Sequence, residues 1–407
     1  MKFNLKRIAN PYTMFGIAWS LSLVLYSFGW TGIFPGVSTL LAVFIISLIV
    51  LFFLTGFFYK RIKPTTPCSP LILSYRLLLI INTAIWLVTF LYSGIPIISG
   101  IRDEDFGIPL VKNFATSFNC FLSVYFFYLF LTTRKKRFLL YGAWCLSFFI
   151  LVISRGSIML SLATMFFLWL NVKTPVLSIK KLAVIISAIL MVFYLFGVAG
   201  NYRSIKDLAT YNSNIDESYN SDIILQIGDA SDSFRESIIP NEFFWSYVYI
   251  ISPLGNLQYN INQGSPPLTI RGMSLLMVNE LVFDAISNKI NAPLNLVPQF
   301  PRLVVDQLTV STTLAGSYVD AGWFGMVFFM LIFWLFPILY TFLIQKNPLG
   351  IIGISTMCSI YFFSIYDNMF ILTGLSLQLL YPVILGYGFK LKRTIVNEAN
   401  VISADLQ

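Results

Sequence analysis

Ten stretches of this 407-residue chain are apolar with few polar interruptions: 12–30, 37–58, 71–92, 110–131, 138–153, 157–172, 182–199, 313–343, 348–365 and 369–389. Most are about 20 residues long, the length at which a helix crosses a hydrocarbon core about 30 Å thick. The pattern predicts an all-α polytopic membrane protein of about ten transmembrane helices, the eighth being one long or tilted helix. Seven spans fall within 1–199 and three within 313–393, with a tail at 394–407. Between the two groups lies a polar insertion, 200–312, expected as a large and partly helical outer loop. Inside it, Phe243–Ile251 and Leu275–Ile286 read as amphipathic or interfacial helices, with Trp245, Tyr247 and Tyr249 at headgroup depth.

Lysine and arginine in the short connections set the orientation. One side receives Lys2, Lys6, Arg7, Lys60, Arg61, Lys63, Arg134–Arg137, Lys173, Lys180, Lys181, Lys346, Lys390, Lys392 and Arg393, or 17 of the 27 basic residues. That side is expected to be cytoplasmic, with both termini inside and the 200–312 insertion outside. Residues 138–172 test the assignment, because basic clusters flank them on both sides and they must cross an even number of times. As a single helix they would run to about 52 Å, too long for one span, so a turn is expected near Ser154-Arg-Gly-Ser157 at the outer face.

Composition narrows the function. At 57% hydrophobic and 11% charged, against about 25% charged in soluble domains, the chain is no soluble globular protein. The net charge of +9 sits in inter-helix loops and reads as membrane orientation; no nucleic-acid partner is implied. The four cysteines form no CxxC motif and none lies in the insertion. The absence of any histidine removes a Ser-His pair, a His-ligated zinc and a His general base.

The insertion holds 11 of the 18 carboxylates, and the candidate chemistry gathers in it and along its borders. Arg155 is the only charge in 138–172. A planar, permanent cation in a turn that needs only small polar residues suits an anion clamp; the competing reading is an arginine snorkelling to lipid headgroups. Arg203, four residues past the expected end of its helix, is placed to reach a lipid-linked phosphate or to anchor at the membrane surface. Arg271 and Arg302 sit beside glycine or proline in the insertion, as phosphate ligands or as solvated loop charges. Asp320, flanked by Tyr318 and Trp323 at the start of the eighth span, is placed as a general base, or as a helix N-terminal acid favoured by the dipole. Asp367 lies in a short outer turn, where Asp-Asn is also ordinary turn chemistry. Asp103 and Asp105 have Asp-x-Asp spacing in an outer loop, which can hold a divalent metal, but a solvated acidic loop is the favoured reading; no metal is required by the reading below.

Three stretches carry a resemblance: Ser93-Gly-Ile-Pro-Ile-Ile with Phe106-Gly-Ile-Pro-Leu, Ser154-Arg-Gly-Ser157, and Tyr318-Val-Asp-Ala-Gly-Trp-Phe-Gly325. With the layout of spans and one large late outer loop, they make the chain resemble the Wzy-type O-antigen polymerases of bacterial inner membranes. The last stretch is similar to the family's Tyr-x-Asp-Phe-Gly-x-x-Gly pattern, with Ala321 in place of the phenylalanine. The spaced Arg-x(10)-Gly signature of some members is absent, since Asn214, Val282 and Thr313 occupy the places where glycine would stand. The resemblance implies a glycosyltransferase that moves a glycan from undecaprenyl pyrophosphate onto the distal sugar of a new lipid-linked repeat unit. It implies cationic residues at the leaving pyrophosphate (Arg155, Arg203, Arg271, Arg302), glycan contacts from Tyr318 and Asp367, and Asp320 as base. It implies no cofactor. The partners implied are the lipid-linked donor and acceptor and the surrounding lipids, with a chain-length regulator on the outer loop left open.

Three rivals are weighed. An O-antigen ligase depends on a loop histidine that this chain lacks. Another polyprenyl-phosphate-sugar glycosyltransferase would use Asp103 and Asp105. A flippase or other transporter would place charges at the bilayer midplane in paired repeats, and neither pattern is visible.

Overall fold

The computed structural model describes residues 2–4, 8–59, 74–100, 106–211, 222–305 and 308–386. Each of the ten apolar stretches carries a helix. In chain order these are α1 (Pro11–Ser27), α2 (Thr39–Phe58), α3 (Tyr75–Ser93), α4 (Pro109–Thr133), α5 (Arg137–Leu151), α6 (Arg155–Lys173) and α7 (Ile179–Tyr211). The insertion adds α8 (Glu242–Asn262), α9 (Ile270–Leu275) and α10 (Asp284–Asn291). The chain then re-enters as α11 (Ala315–Ile344), α12 (Gly350–Phe363) and α13 (Thr373–Gly386). Polar caps start several of them. Asn10 accepts from Thr13 N (2.9 Å) ahead of Pro11, Ser38 from Leu41 N (3.4 Å) and Ser74 from Leu77 N (3.2 Å).

Apart from one short pair of strands, the regular structure of the described residues is helical, and the apolar helices mark a membrane protein. Among the described residues, six helices are long and apolar enough to cross a bilayer: Thr39–Phe58, Tyr75–Ser99, Leu110–Thr133, Arg155–Lys173, Ile179–Tyr202 and Ala315–Ile344. Helices α1, α5, α12 and α13 are shorter and pack among them. Helix α1 lies between α2 and α12, and its Trp19 Nε1 donates to Ser364 Oγ (3.0 Å). Helices α6 and α12 meet through Thr164 and Ser359 (2.8 Å) and through Asn171 and Ser355 (3.3 Å).

Several connections meet one another. Strand β1 (Lys2–Asn4) pairs antiparallel with β2 (Val176–Ser178), and Lys173 Nζ donates to Leu131 O (2.8 Å), so three basic clusters meet. Elsewhere Gly32 N donates to Asp229 O (2.9 Å) and Ser231 N to Trp30 O (2.9 Å). There the insertion builds a core with the α1–α2 connection, from Phe34 of the latter and Phe234, Phe244, Tyr247 and Val248 of the former. The turn inside 138–172 falls at 152–154, leaving Arg155 as the first residue of α6. The two Gly-Ile-Pro stretches meet, with Gly107 N donating to Ser93 Oγ (2.9 Å).

Four expectations are corrected. Helix α7 runs on to Tyr211 with no stop signal at Asn201-Tyr-Arg203, so Arg203 is a helical residue and not part of a loop past the helix end. Helix α8 is no interfacial helix: Phe244, Trp245, Tyr247, Val248, Ile251, Leu254 and Leu257 are all buried, against α7, α1 and α11. Its aromatic residues had protein to pack on, which a hydropathy pattern does not distinguish from headgroups. Residues 275–286 are not one helix but the end of α9, a π-helical turn and the start of α10. Helix α11 is broken after its second turn, which the next section explains.

Candidate functional site at the break in α11

Helix α11 turns through Ser317, Tyr318 and Asp320 before helical geometry fails at Ala321 (φ −145°, ψ 21°) and Gly322 (φ 61°, ψ −149°). The Gly322 conformation is open essentially to glycine alone. A Cβ there would also collide with Ser265 Oγ. On the other side, a Cβ at Gly272 of α9 would collide with the carbonyl oxygen of Asp320. Asp320 is therefore held at a fixed bend with backbone pressed against it. Its side chain is only 6% exposed, and its Oδ1 has no hydrogen-bond partner. Such a group costs about 1–3 kcal/mol. Native structures tolerate few of them, and a reaction that uses the group is one reason for keeping it.

A second carboxyl faces it. Leu276–Glu280 forms a π-helical turn, an insertion that frequently marks functional positions. The turn sends Glu280 inward, where it is 8% exposed. Asn368 Nδ2 donates both to Glu280 Oε2 (2.8 Å) and to the Glu280 carbonyl (3.0 Å). The carboxyl lies over Gly316 in the first turn of α11, where any Cβ would displace it. Burial pushes the Glu280 pKa up to about 8; the Asn368 hydrogen bond opposes the rise, and the Asp320 and Asp367 carboxyls add to it. At neutral pH Glu280 thus carries a proton. The surrounding loops are tied down. Asp284 Oδ1 accepts from Thr373 Oγ1 and from Ala285 N (2.6 Å), and Asp284 N donates to Ile371 O (3.0 Å).

Beside this pair opens a cleft of about 480 Å³, lined among others by Asn260, Gln263, Ser265, Gln299, Phe300, Arg302, Tyr318 and Val319. Helix α8 shapes it. Asn260 accepts from Arg302 N (2.9 Å) and donates to Arg302 O (2.8 Å), while Asn256 accepts from Val304 N (2.9 Å) and donates to Val310 O (2.8 Å). These two asparagines fasten the backbone at Arg302, Val304 and Val310, so it is fixed where Arg302 projects its exposed side chain. Side-chain amides, two aromatic rings and one guanidinium are the groups that bind sugar hydroxyls and an anionic oxygen.

The structure brings Tyr318, Asp320, Arg302 and Asp367 around this one corner. Asp367 is exposed in the turn after α12, its Oδ1 accepting from Asn368 N (2.7 Å). Arg271 is exposed on α9, next to Gly272 and outside the cleft lining. Arg155 is exposed at the start of α6 and is likewise not among the cleft residues. The side chain of Arg203 and the whole of Asp103 and Asp105 lie outside the described residues. Among the described residues no group of three or more histidine, cysteine, aspartate and glutamate side chains is arranged to hold a metal.

Sequence reasoning missed Glu280, Asn368, Asn256 and Asn260. A signal existed, since Glu280 stands alone in the apolar run Leu275–Val282 and the asparagines repeat at helical spacing along α8.

The chain matches no protein-family model, no curated protein and no solved structure.

Proposed function

We propose that this chain is a membrane glycosyltransferase of the Wzy polymerase type. It joins undecaprenyl-pyrophosphate-linked repeat units into an O-antigen or capsule-like polysaccharide at the outer face of a bacterial inner membrane. The observation that carries this reading is Asp320, a buried carboxyl with an unpartnered oxygen at a break in α11, beside a cleft of amides, aromatics and Arg302. In this reading the ten helices all span, both termini are cytoplasmic and the corner around Asp320 faces outward.

The acceptor sugar lies in the cleft against Tyr318 and the amides of Gln263 and Gln299, with Asp367 at its rim. Its hydroxyl attacks the anomeric carbon of the donor glycan and gives its proton to Asp320. The bond from that carbon to the pyrophosphate oxygen breaks, and the electron pair leaves with undecaprenyl pyrophosphate. Arg302 and Arg271, with Arg155 and Arg203 from the bundle, neutralise the departing charge. Protonated Glu280 keeps a second negative charge away from Asp320. No cofactor enters.

The test is a strain lacking this gene, complemented with the wild-type chain and with Arg155→Ala or Arg155→Lys at equal membrane levels, reading surface polysaccharide on a gel. A deletion ladder that collapses to a single repeat unit, restored by wild type and not by either arginine variant, supports polymerisation and a bidentate clamp. Loss of even the single repeat unit on deletion places the defect in assembly, flipping or ligation and removes the reading.

A further inference from the structure

The outer segment that carries Glu280 also carries an unpartnered apolar face. Leu268, Ile270, Met277, Leu294 and Val297 are all exposed, Ile270 at 89% and Val297 at 66%. Four of them line or flank an open groove of about 590 Å³ along α9. Soluble surfaces rarely gather so many large apolar side chains in one patch. The height of the patch on the molecule is fixed by Gly272, which lies against the Asp320 backbone. Helix α9 is therefore level with the outermost turns of the α11 span. Below the break, Phe324, Val327, Leu331, Leu335 and Ile338 form an exposed apolar stripe at helical spacing, the face that α11 gives to lipid. The patch lies at the outer end of that lipid-facing helix. An exposed cation outside the site, Lys289 on α10, stands on the same segment.

We propose that residues 268–297 rest in the outer leaflet, the apolar face seated among phospholipid acyl chains and Lys289 at the headgroup phosphates. Monotopic elements of this kind sink about 5–10 Å below the headgroups. The consequence for the site is mechanical: the bilayer supports the lobe that presses α9 and the Glu280 turn against Asp320.

The test uses the full chain in nanodiscs of phosphatidylethanolamine and phosphatidylglycerol containing nitroxide-labelled lipids. Ile270→Cys and Val297→Cys carry an environment-sensitive fluorophore, with Ile238→Cys, fully exposed in another part of the outer lobe, as the reference. Labelled wild type corrects for the native cysteines. Quenching at 270 and 297 roughly twofold or more above that at 238, unchanged by added polyprenyl phosphate, is the result expected of leaflet insertion. Quenching equal at all three positions overturns it. Quenching at 270 and 297 that disappears when polyprenyl phosphate is added also overturns it, because the face is then the site of one specific lipid. Two labelled positions on one face guard against a single variant that misfolds.

Discussion

Asn82 Nδ2 donates to Asn119 Oδ1 (2.8 Å) and Asn119 Nδ2 to the Cys145 carbonyl (2.8 Å), tying α3, α4 and α5 together deep in the bundle. At the N-terminal end of α11, Glu280, Asn368 and Asp320 form another buried polar group. The first is built of neutral amides, which hold helices together in lipid without a charge to desolvate. The second contains two ionisable carboxyls, a π-turn, a helix break and a cleft at its edge. Both are buried and both leave an atom unpartnered. The chemistry of the groups and the backbone distortion that places them separate a fastener from a site.

That contrast can be broken at several points. The largest effect is expected from Gly322→Ala. The new Cβ meets Ser265 Oγ and the backbone sits in a glycine-only region, so strain of about 1–3 kcal/mol adds to the overpacking and Asp320 moves. Thermal unfolding in detergent should drop and repeat-unit transfer should fall with it; unchanged melting would mean that the break is not a constraint.

Next is Glu280→Gln, read as stability against pH. The Glu280 pKa rises from 4.5 to about 8 on folding, so between those values the folded chain binds more protons than the unfolded one. Wild-type stability conferred by this group is complete below the unfolded pKa and is lost as pH rises through about 8, at up to about 1.4 kcal/mol per pH unit. Glutamine cannot ionise. The variant should match wild type near the low end of that window and outlast it above the high end, and parallel curves would refute the buried acid.

Asn368→Ala removes the donor to Glu280 and should cost about 1–3 kcal/mol, because it leaves the buried Glu280 acceptors unsatisfied. Melting of the purified protein measures it, and a loss indistinguishable from zero would dissolve the pair. The smallest effect is expected in the amide cluster. Asn119→Ala should cost about 0.6–1.7 kcal/mol and leave transfer untouched, and a transfer defect at full membrane levels would make that cluster more than a fastener.

The helices were legible because lipid leaves a helix no choice: every backbone group must pair within its own segment, so apolar length marks six that can cross a bilayer, while α1, α5, α12 and α13 fall short of it. The turn before Arg155 followed from the same arithmetic. Asp320 was legible because a carboxyl between Tyr318 and Trp323 at a span end is conspicuous. Glu280 was not, because its inward direction comes from a π-turn and from Asn368, 88 residues away in the chain. Helix α8 was misplaced for a related reason, since Trp245 and Tyr247 pack as well on protein as at a headgroup. Arg203 showed the limit of stop signals: nothing in Asn201-Tyr-Arg-Ser ends a helix, and α7 continued.

The most direct measurement is transfer by the purified chain in nanodiscs, from a lipid-linked repeat unit, for wild type and Asp320→Asn matched in melting temperature. Loss of the base should slow chain growth by about 10²–10⁴-fold with substrate binding retained. Growth at the wild-type rate by the asparagine variant would contradict Asp320 as the base and the account of the site built on it.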